Sequence, residues 1–482
     1  MSTGKVVPLR AVRMKAYEAT STSKRLDDWE RTSYGPNAVN DDADLARARS
    51  QDAVRNNPWI NNALDLIVTN QVGCGIQPRP KMDDAGLRTE LIDLFSDWSA
   101  ECDADGALDF LALQALWARA RVESGECFVR IRPRSRDSGL TVPLQLQTIE
   151  ADLLPIHHNS GNGGNSIRQG IERSPYGQRL AYWFYREHPG DRYASLSTAN
   201  TARVPAEAVL HHYVPKRPGQ LRGEPHTLSA LLRARKMDLY ESAELTRKQN
   251  RAKFNGAIYR EDESDNPITD AEVNVEDDRA LVDVEEGYFF KLAQNERVDL
   301  YGGDSGNAGV IDFIRTQLRS IAAGMGVPYE LMTGDYEGTN DRIMRVILNT
   351  FYRRLEMMQD LLIMQVLQPT WAAFLDAAVL SNAVRIPGYF DARKRWQRCE
   401  WRAHAWSYVN PLQEAETKKI LKDEGFTSRS AVVAEMGWDV EEVDRQQAED
   451  RRRELEMGLL YGTTPPSDQQ IADYLKRLES PA

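Results

Sequence analysis

VIDFIRTQLRSIAAGMGVPYELMTGDYEGTNDRIMRVILNTFYRRLEMMQDLLIMQVLQPTWAAFLDAAVL, residues 310–380, is a helix, a break and a long helix, and the rest of the chain is arranged around it. In the first arm Ile311, Ile314, Leu318, Ile321 and Met325 recur at steps of three and four, which puts them on one helical face, with Asp312, Arg315 and Arg319 on another. Gly324, Gly326 and Pro328 end that arm, because glycine is permissive and proline lacks the N–H that continuation needs. Thr339, Asn340 and Asp341 are all able to cap a second helix. From there Ile343, Ile347, Phe351, Leu355, Met358, Leu362 and Val366 hold the helical period opposite a polar row of Arg345, Asn349, Arg353, Glu356 and Asp360. A helix from Asp341 to Gln368 is roughly 42 Å long, and Pro369 is expected to kink or end it. Core packing in a helical bundle explains such a stripe, but a helix this long is less common in a compact domain than in an extended assembly.

A chain of 482 residues exceeds one hydrophobic core, so two to four substructures are expected. Charged residues at 28% and hydrophobic ones at 41%, with no unbroken apolar run of 18, describe a soluble chain with no membrane partner. The first twenty residues lack the apolar centre of a signal peptide, so export is not indicated and an arm is read there. Cys74, Cys102, Cys127 and Cys399 show neither CxxC nor Cys/His spacing, which argues against zinc and against a disulfide framework. His157 with His158 and His211 with His212 are neighbours that point to opposite faces of an extended chain, a poor arrangement for a shared metal. No metal and no cofactor are expected.

The net charge of −11 has one source. Between Glu261 and Glu286 there are 12 acidic residues and one basic, Arg279, so this segment alone carries −11 and the remainder sums to zero. A solvated loop explains any charge run; concentrating the whole imbalance here also suits a surface for a basic partner.

Amphipathic helices are read from Leu45 to Asn57, after Pro58, over 86–100 and over 110–124. The texture then changes to strands: GECFVRIRPR alternates Cys127, Val129 and Ile131 against Phe128, Arg130 and Arg132, and PLQLQTIEADLL, RLAYWFYRE and AVLHHYVPK follow. The loop HNSGNGGNS, 158–166, is read as a flexible tip. A basic helix resumes at His226 and runs to Phe254, with Arg247, Lys248, Arg251 and Lys253 near its end. Together with the helix from Val310 it brackets an insertion of about fifty residues. Beyond Asn410 and Pro411 come helices ending in a charge-laced stretch, and Ser467 with Gln470 has capping-box spacing for a last one.

At this point the chain resembles the tailed-phage portal proteins of the lambda type. The resemblance is carried by AVRNNPWINNALDLIVTNQVGCGIQPRP (53–80), ARVESGECFVR (120–130), IRQGIERSPYGQRLAYWFYREHPGD (167–191), ARVPAEAVLHHYVPKRPGQLRGEP (202–225), GMGVPYELMTGDY (324–336) and WSYVNPLQEAETKKILKDEGFTSRSAVVAEMGWDVEEV (406–443). Asn410-Pro411 stands where relatives have Asp-Pro, and EGTNDRIMRV follows GDY where relatives are rich in Tyr, Ser and Ala. The resemblance implies an α+β portal fold: a mixed α/β wing, a two-helix stem, a small α/β clip, a long radial helix and a helical C-terminal region. By position, 1–50 is the N-terminal arm, 51–225 the wing, 226–256 the first stem helix, 257–307 the clip, 308–326 the second stem helix, 327–341 the tunnel loop, 342–380 the long helix of the wing and 381–482 the C-terminal wing and crown.

The function so implied is a ring of twelve copies at one capsid vertex, a channel for DNA packaging and ejection, in the virion and, during assembly, in the host cytoplasm. Its implied partners are itself, double-stranded DNA, the large terminase, capsid and scaffold proteins and the head-tail connector. Glu261, Asp262, Glu263, Asp265, Glu276, Asp277 and Asp278 would dock terminase or adaptor; Arg247, Lys248, Arg251, Lys253, Tyr336, Glu337, Asn340 and Arg342 would face the channel and its DNA. The alternative is a cytosolic helical scaffold for a basic partner, which leaves the strand region unexplained and need not close into a ring. No catalytic residue is expected: no GxxxxGK followed by Ser or Thr, and no GxGxxG, follows a strand. The purified protein is therefore expected to hydrolyse no ATP, and turnover that survives further purification in a phosphate-release assay would overturn this reading.

Overall fold

The computed structural model describes residues 34–38, 42–162, 164–191, 200–252, 256–260, 274–275, 280–281, 296–300, 310–403, 406, 411–438 and 440–457. Four α-helices come first among the described residues: α1 (Ala43–Asn56), α2 (Pro58–Val72), α3 (Ala85–Ser99) and α4 (Phe110–Ser124), with the short strand β1 (Gln77–Pro80) between the second and third. Three of them are capped by a side chain that accepts from a first-turn N–H: Asn57 from Ile60, Asp84 from Leu87 and Asp109 from Ala112.

Strands β2 (Glu126–Pro133), β3 (Leu144–Ile149) and β9 (Val209–Tyr213) form an antiparallel sheet in the order β3-β2-β9. Five more, β4 (Ser160–Asn162), β5 (Asn165–Arg168), β6 (Ile171–Arg173), β7 (Arg179–Tyr185) and β8 (Thr201–Pro205), form a sequential meander. The stretch 158–166, expected as a flexible tip, is the first hairpin of this meander, with Ser160 opposite Ile167 and Asn162 opposite Asn165. Gly164 at φ +94° supplies the positive dihedral the turn requires. The alternation expected for β2 also fails at its start. Cys127 and Val129 enter the helical core, but Phe128 is equally buried, because the meander covers the other face with Tyr182, Phe184 and Val204. A strand covered on both sides shows no polar face.

Glu126, fully buried at the start of β2, is held by Arg222 at 2.6 Å, Arg47 at 3.2 Å, His211 at 2.9 Å and the backbone N–H of Gly223 at 2.9 Å. Arg222 in turn donates to the carbonyls of Leu154, Gln169 and Ala151, and Arg47 to Asp152. Burial pushes the Glu126 carboxyl up, but Arg222 and then His211 more than offset this and hold it well below the carboxylate range. The neighbouring backbones meet so closely that a Cβ on Gly125 would fall 2.3 Å from the Glu224 carbonyl carbon, and one on Gly223 would fall 2.1 Å from the Gly125 oxygen.

Helices α5 (Leu228–Ala252) and α6 (Val310–Met325) form an antiparallel hairpin, since Ser229 meets Gly324, Arg233 meets Gln317 and Tyr240 meets Phe313. Past them, β10 (Gly256–Arg260) pairs with β13 (Glu296–Leu300), and β11 (Asn274–Val275) with β12 (Ala280–Leu281). After the short α7 (Tyr329–Thr333) comes α8 (Asp341–Leu362), then a π-turn (Ile363–Leu367), then α9 (Gln368–Ser381). Pro369 does not end the helix, which continues to Ser381. The π-turn rearranges the hydrogen bonds just before it, and Pro369 falls in the first turn of α9, where its N–H is not needed. The resulting 41-residue helix is long and apolar enough, by length and composition, to cross a membrane, although it holds no unbroken apolar run of 18. Here Val366, Leu367, Trp371, Phe374, Leu375 and Ala378 are all fully buried, in the aromatic core with Phe95, Trp98 and Phe110, while Phe351 and Leu355 enter a second core against α2 and α6. The chain then gives α10 (Arg393–Trp396), β14 (Cys399–Arg402) antiparallel to β1, and α11 (Pro411–Asp423), α12 (Arg429–Glu435) and α13 (Val440–Met457).

Glu126→Gln is expected to lower unfolding stability by about 3–5 kcal/mol, because two guanidiniums stay buried without their anion. Urea unfolding of the wild type and variant checks this, and a loss below about 1 kcal/mol would show that the cluster is dispensable.

Candidate functional site

The turn between α6 and α8 is built by its glycines and one cap. Gly326, at φ +69°, ends α6, and a Cβ there would collide with the Arg354 guanidinium. Gly334 at φ +72° ends α7, with its N–H on Glu330, and Gly338 at φ +73° lies in the turn that Thr339 N–H closes on the Tyr336 carbonyl at 3.1 Å. Asn340 then caps α8 by accepting from the Ile343 N–H at 3.0 Å.

The turn does not hang free. Arg315 on α6 places Nε 3.3 Å from Asp335 and pairs its Nη2 with Glu337. Tyr329 donates its hydroxyl to Asp335 at 2.7 Å and offers its ring to Arg319, whose guanidinium carbon lies 5.2 Å from the ring centre. The Tyr329 hydroxyl, the Glu337 N–H and Arg315 together hold the Asp335 carboxyl below its usual range. Arg315 is ten residues before Met325, so the turn folds back roughly 15 Å along α6.

Of the residues expected to face DNA, Tyr336, Glu337, Asn340 and Arg342 are brought together in this turn. Tyr336 and Arg342 are exposed, Glu337 is engaged by Arg315, and the Asn340 oxygen is spent on its own helix. Arg247 pairs with Glu244 at 2.7 Å and Lys248 beside it is exposed. They lie seven and eight residues, roughly 10–12 Å, past Tyr240 on α5. Arg251 belongs to the same helix, and Lys253 lies outside the described residues, as do Glu261, Asp262, Glu263, Asp265, Glu276, Asp277 and Asp278. The pairing of Arg315 with Asp335 and Glu337 was missed because partners twenty residues apart leave no periodic signal.

His211 and His212 do face opposite ways: His211 meets Glu126, while His212 Nδ1 meets the Gln365 side-chain oxygen at 2.8 Å. The Gln365 amide also accepts from the N–H and donates to the carbonyl of Tyr213, completing that strand edge from within the π-turn. Among the described residues, Glu150, Asp152 and His188 come close enough together to suggest a metal. His188 Nδ1 accepts from the Gly190 N–H at 3.0 Å, its Nε2 lies 3.2 Å from Glu150, and Asp152 is engaged by Arg47 at 2.9 Å.

Residues 22–359 match the family model described as phage portal protein, lambda family. The chain belongs to that family. This portal protein is 26% identical to the probable portal protein of Halomonas phage phiHAP-1, over 87% of this chain and 82% of the relative. It is 22% identical to portal protein B of Escherichia phage lambda, over 86% of this chain and 84% of the relative. Its fold is similar to a chain in the neck of an empty GTA particle, with a TM-score of 0.51 at 14% identity, over 82% of this chain and 93% of that one. The family is structural rather than catalytic, and the role of this chain is that of a capsid portal.

The base of the hairpin and the strand edge beside it hold buried histidines. His226 Nε2 meets the Met325 carbonyl at 2.8 Å, and burial, then Arg121, lower its pKa to about 4; burial and Arg121 lower His212 to about 3. A histidine whose folded pKa is lowered adds stability that is complete above its unfolded value, near 6.5, and is lost as pH falls towards the folded one. Stability is expected to fall from about pH 6.5 to 4 by about 1.4 kcal/mol per unit for each such histidine. Urea midpoints across this range check it, and His226→Asn should flatten the slope by one proton.

Proposed function

We propose that this portal protein closes into a ring, twelve copies in the family's expected form, at one capsid vertex. The α5–α6 hairpin is the stem, the insertion past its end the clip, residues 51–225 with the long helix the wing, and the turn before α8 the channel-lining loop. The observation that carries this is the hairpin's uncovered apolar surface. Leu232, Leu239 and Leu245 on α5 and Ile311 on α6 are each more than half exposed, and a groove of about 430 Å³ lined by Leu232, Met237, Tyr240 and Phe313 runs beside them. Among the described residues, Ala230, Ala234 and Met237 of α5 are buried in the core and Tyr240 packs against it, while the leucines on its other side have no described cover. A neighbouring copy that brings a different surface supplies that cover, and repeated head-to-tail contacts of this kind close into a ring.

Double-stranded DNA would pass along the axis during packaging and ejection, with the energy supplied by a separate motor, so the ring itself performs no catalysis. The acidic insertion suits docking better than DNA contact, because like charge repels phosphate while carboxylates steer a basic protein surface. On this reading Glu261, Asp262, Glu263, Asp265, Glu276, Asp277 and Asp278 engage the large terminase, then the head-tail connector, and the wing meets capsid and scaffold proteins. Its places are the virion and, during assembly, the host cytoplasm.

Native mass and electron microscopy of the purified chain test the ring; a monomer or two-fold dimer at high concentration would count against it. Changing Glu276, Asp277 and Asp278 to their amides should leave the ring intact while weakening terminase binding and its salt dependence. Unchanged affinity with an intact ring would remove the docking role.

A further inference from the structure

We propose that Asp335 and Glu337 are a phosphate shield: they occupy Arg315 so that this guanidinium, beside the turn, is already neutralised when it meets a DNA duplex. This rests on the reading that the turn lines the channel.

Arg315 has the geometry of a phosphate ligand. It is partly exposed, on α6 beside the turn, and a guanidinium binds phosphate through two parallel N–H donors. Both of the donors that would do so are engaged, Nε by Asp335 at 3.3 Å and Nη2 by Glu337. The next cation along the same face, Arg319, lies over the Tyr329 ring. Asp335 is also positioned without Arg315, because Tyr329 donates to one carboxylate oxygen at 2.7 Å and the Glu337 N–H approaches the other at 3.3 Å. The carboxylate is therefore in place before any cation arrives, and little ordering is lost in forming the pair.

The consequence is kinetic. Every phosphate a protein neutralises releases counterions and anchors the duplex, and in a closed ring the same side chain recurs around the axis. A free Arg315 in each copy would give a collar of phosphate contacts. With the two carboxylates in place, a phosphate must displace an anion already bonded to the guanidinium, and the net gain is small.

The test uses the full chain, a short linear duplex and fluorescence anisotropy across a salt series. D335N/E337Q should bind the duplex more tightly than the wild type, and its plot of log affinity against log salt should steepen by about 0.9 for each phosphate reached. Adding R315A should return both to the wild-type values. Equal binding by wild type and D335N/E337Q overturns the shield, as does a gain that persists without Arg315, since that gain would reflect only the lost negative charge. E337Q alone leaves the Tyr329–Asp335 bond in place; it should shift in the same direction by less and decides the matter if the double variant does not assemble. A wild-type chain that stays monomeric by native mass overturns the ring, and the same comparison made on monomers then judges the shield.

Discussion

A carboxylate sealed from water is tolerable only when it is surrounded by charge and donors, and Glu126 sets that condition for the sheets and helices around it. Its oxygens face Arg47 from the first helix, His211 from the last strand of the small sheet, and Arg222 and the Gly223 N–H from the segment that leads into α5. Removing any one of these elements strands charge in the interior, which costs several kcal/mol where an apolar contact would cost one or two. The approach of Gly125 to Gly223 follows from the same demand, since a side chain at either position would hold the two backbones apart. The base of the hairpin is thereby placed relative to the sheet before any contact of the hairpin itself is made.

How much of this could be read beforehand depended on whether the cause was local. Helix α4 came out with its expected ends, because Asp109 and Gly125 are near neighbours in sequence of what they cap. The two-helix bracket around the insertion was legible for the same reason: periodicity and terminators are carried by consecutive residues. The burial of Phe128 was not, since the meander that covers it is supplied by residues more than fifty positions later. Nor was the continuation of the helix past Pro369, where a change of hydrogen-bond pattern upstream removes the conflict the residue normally creates.

The candidate site divides along the same line. Tyr336, Glu337, Asn340 and Arg342 fall in one turn because they are close in sequence, whereas the role of Arg315 depends on that turn folding back along α6. Glu126, His211 and Arg222 show the converse. Glu126 sits in the stretch 120–130 and both His211 and Arg222 in the stretch 202–225, two of those that carry the family resemblance, and the fold gathers the three into a single buried charge network.

The helix running from Asp341 to Ser381 is also a connecting part. Its first ten residues carry no buried side chain, its middle rests on α2 through Phe351 and Leu355, and its far end packs Trp371 and Phe374 against Phe95, Trp98 and Phe110. The helix therefore joins the turn at its start to both cores, and the Gln365 amide, bonded to both backbone groups of Tyr213, ties it to the sheet edge as well.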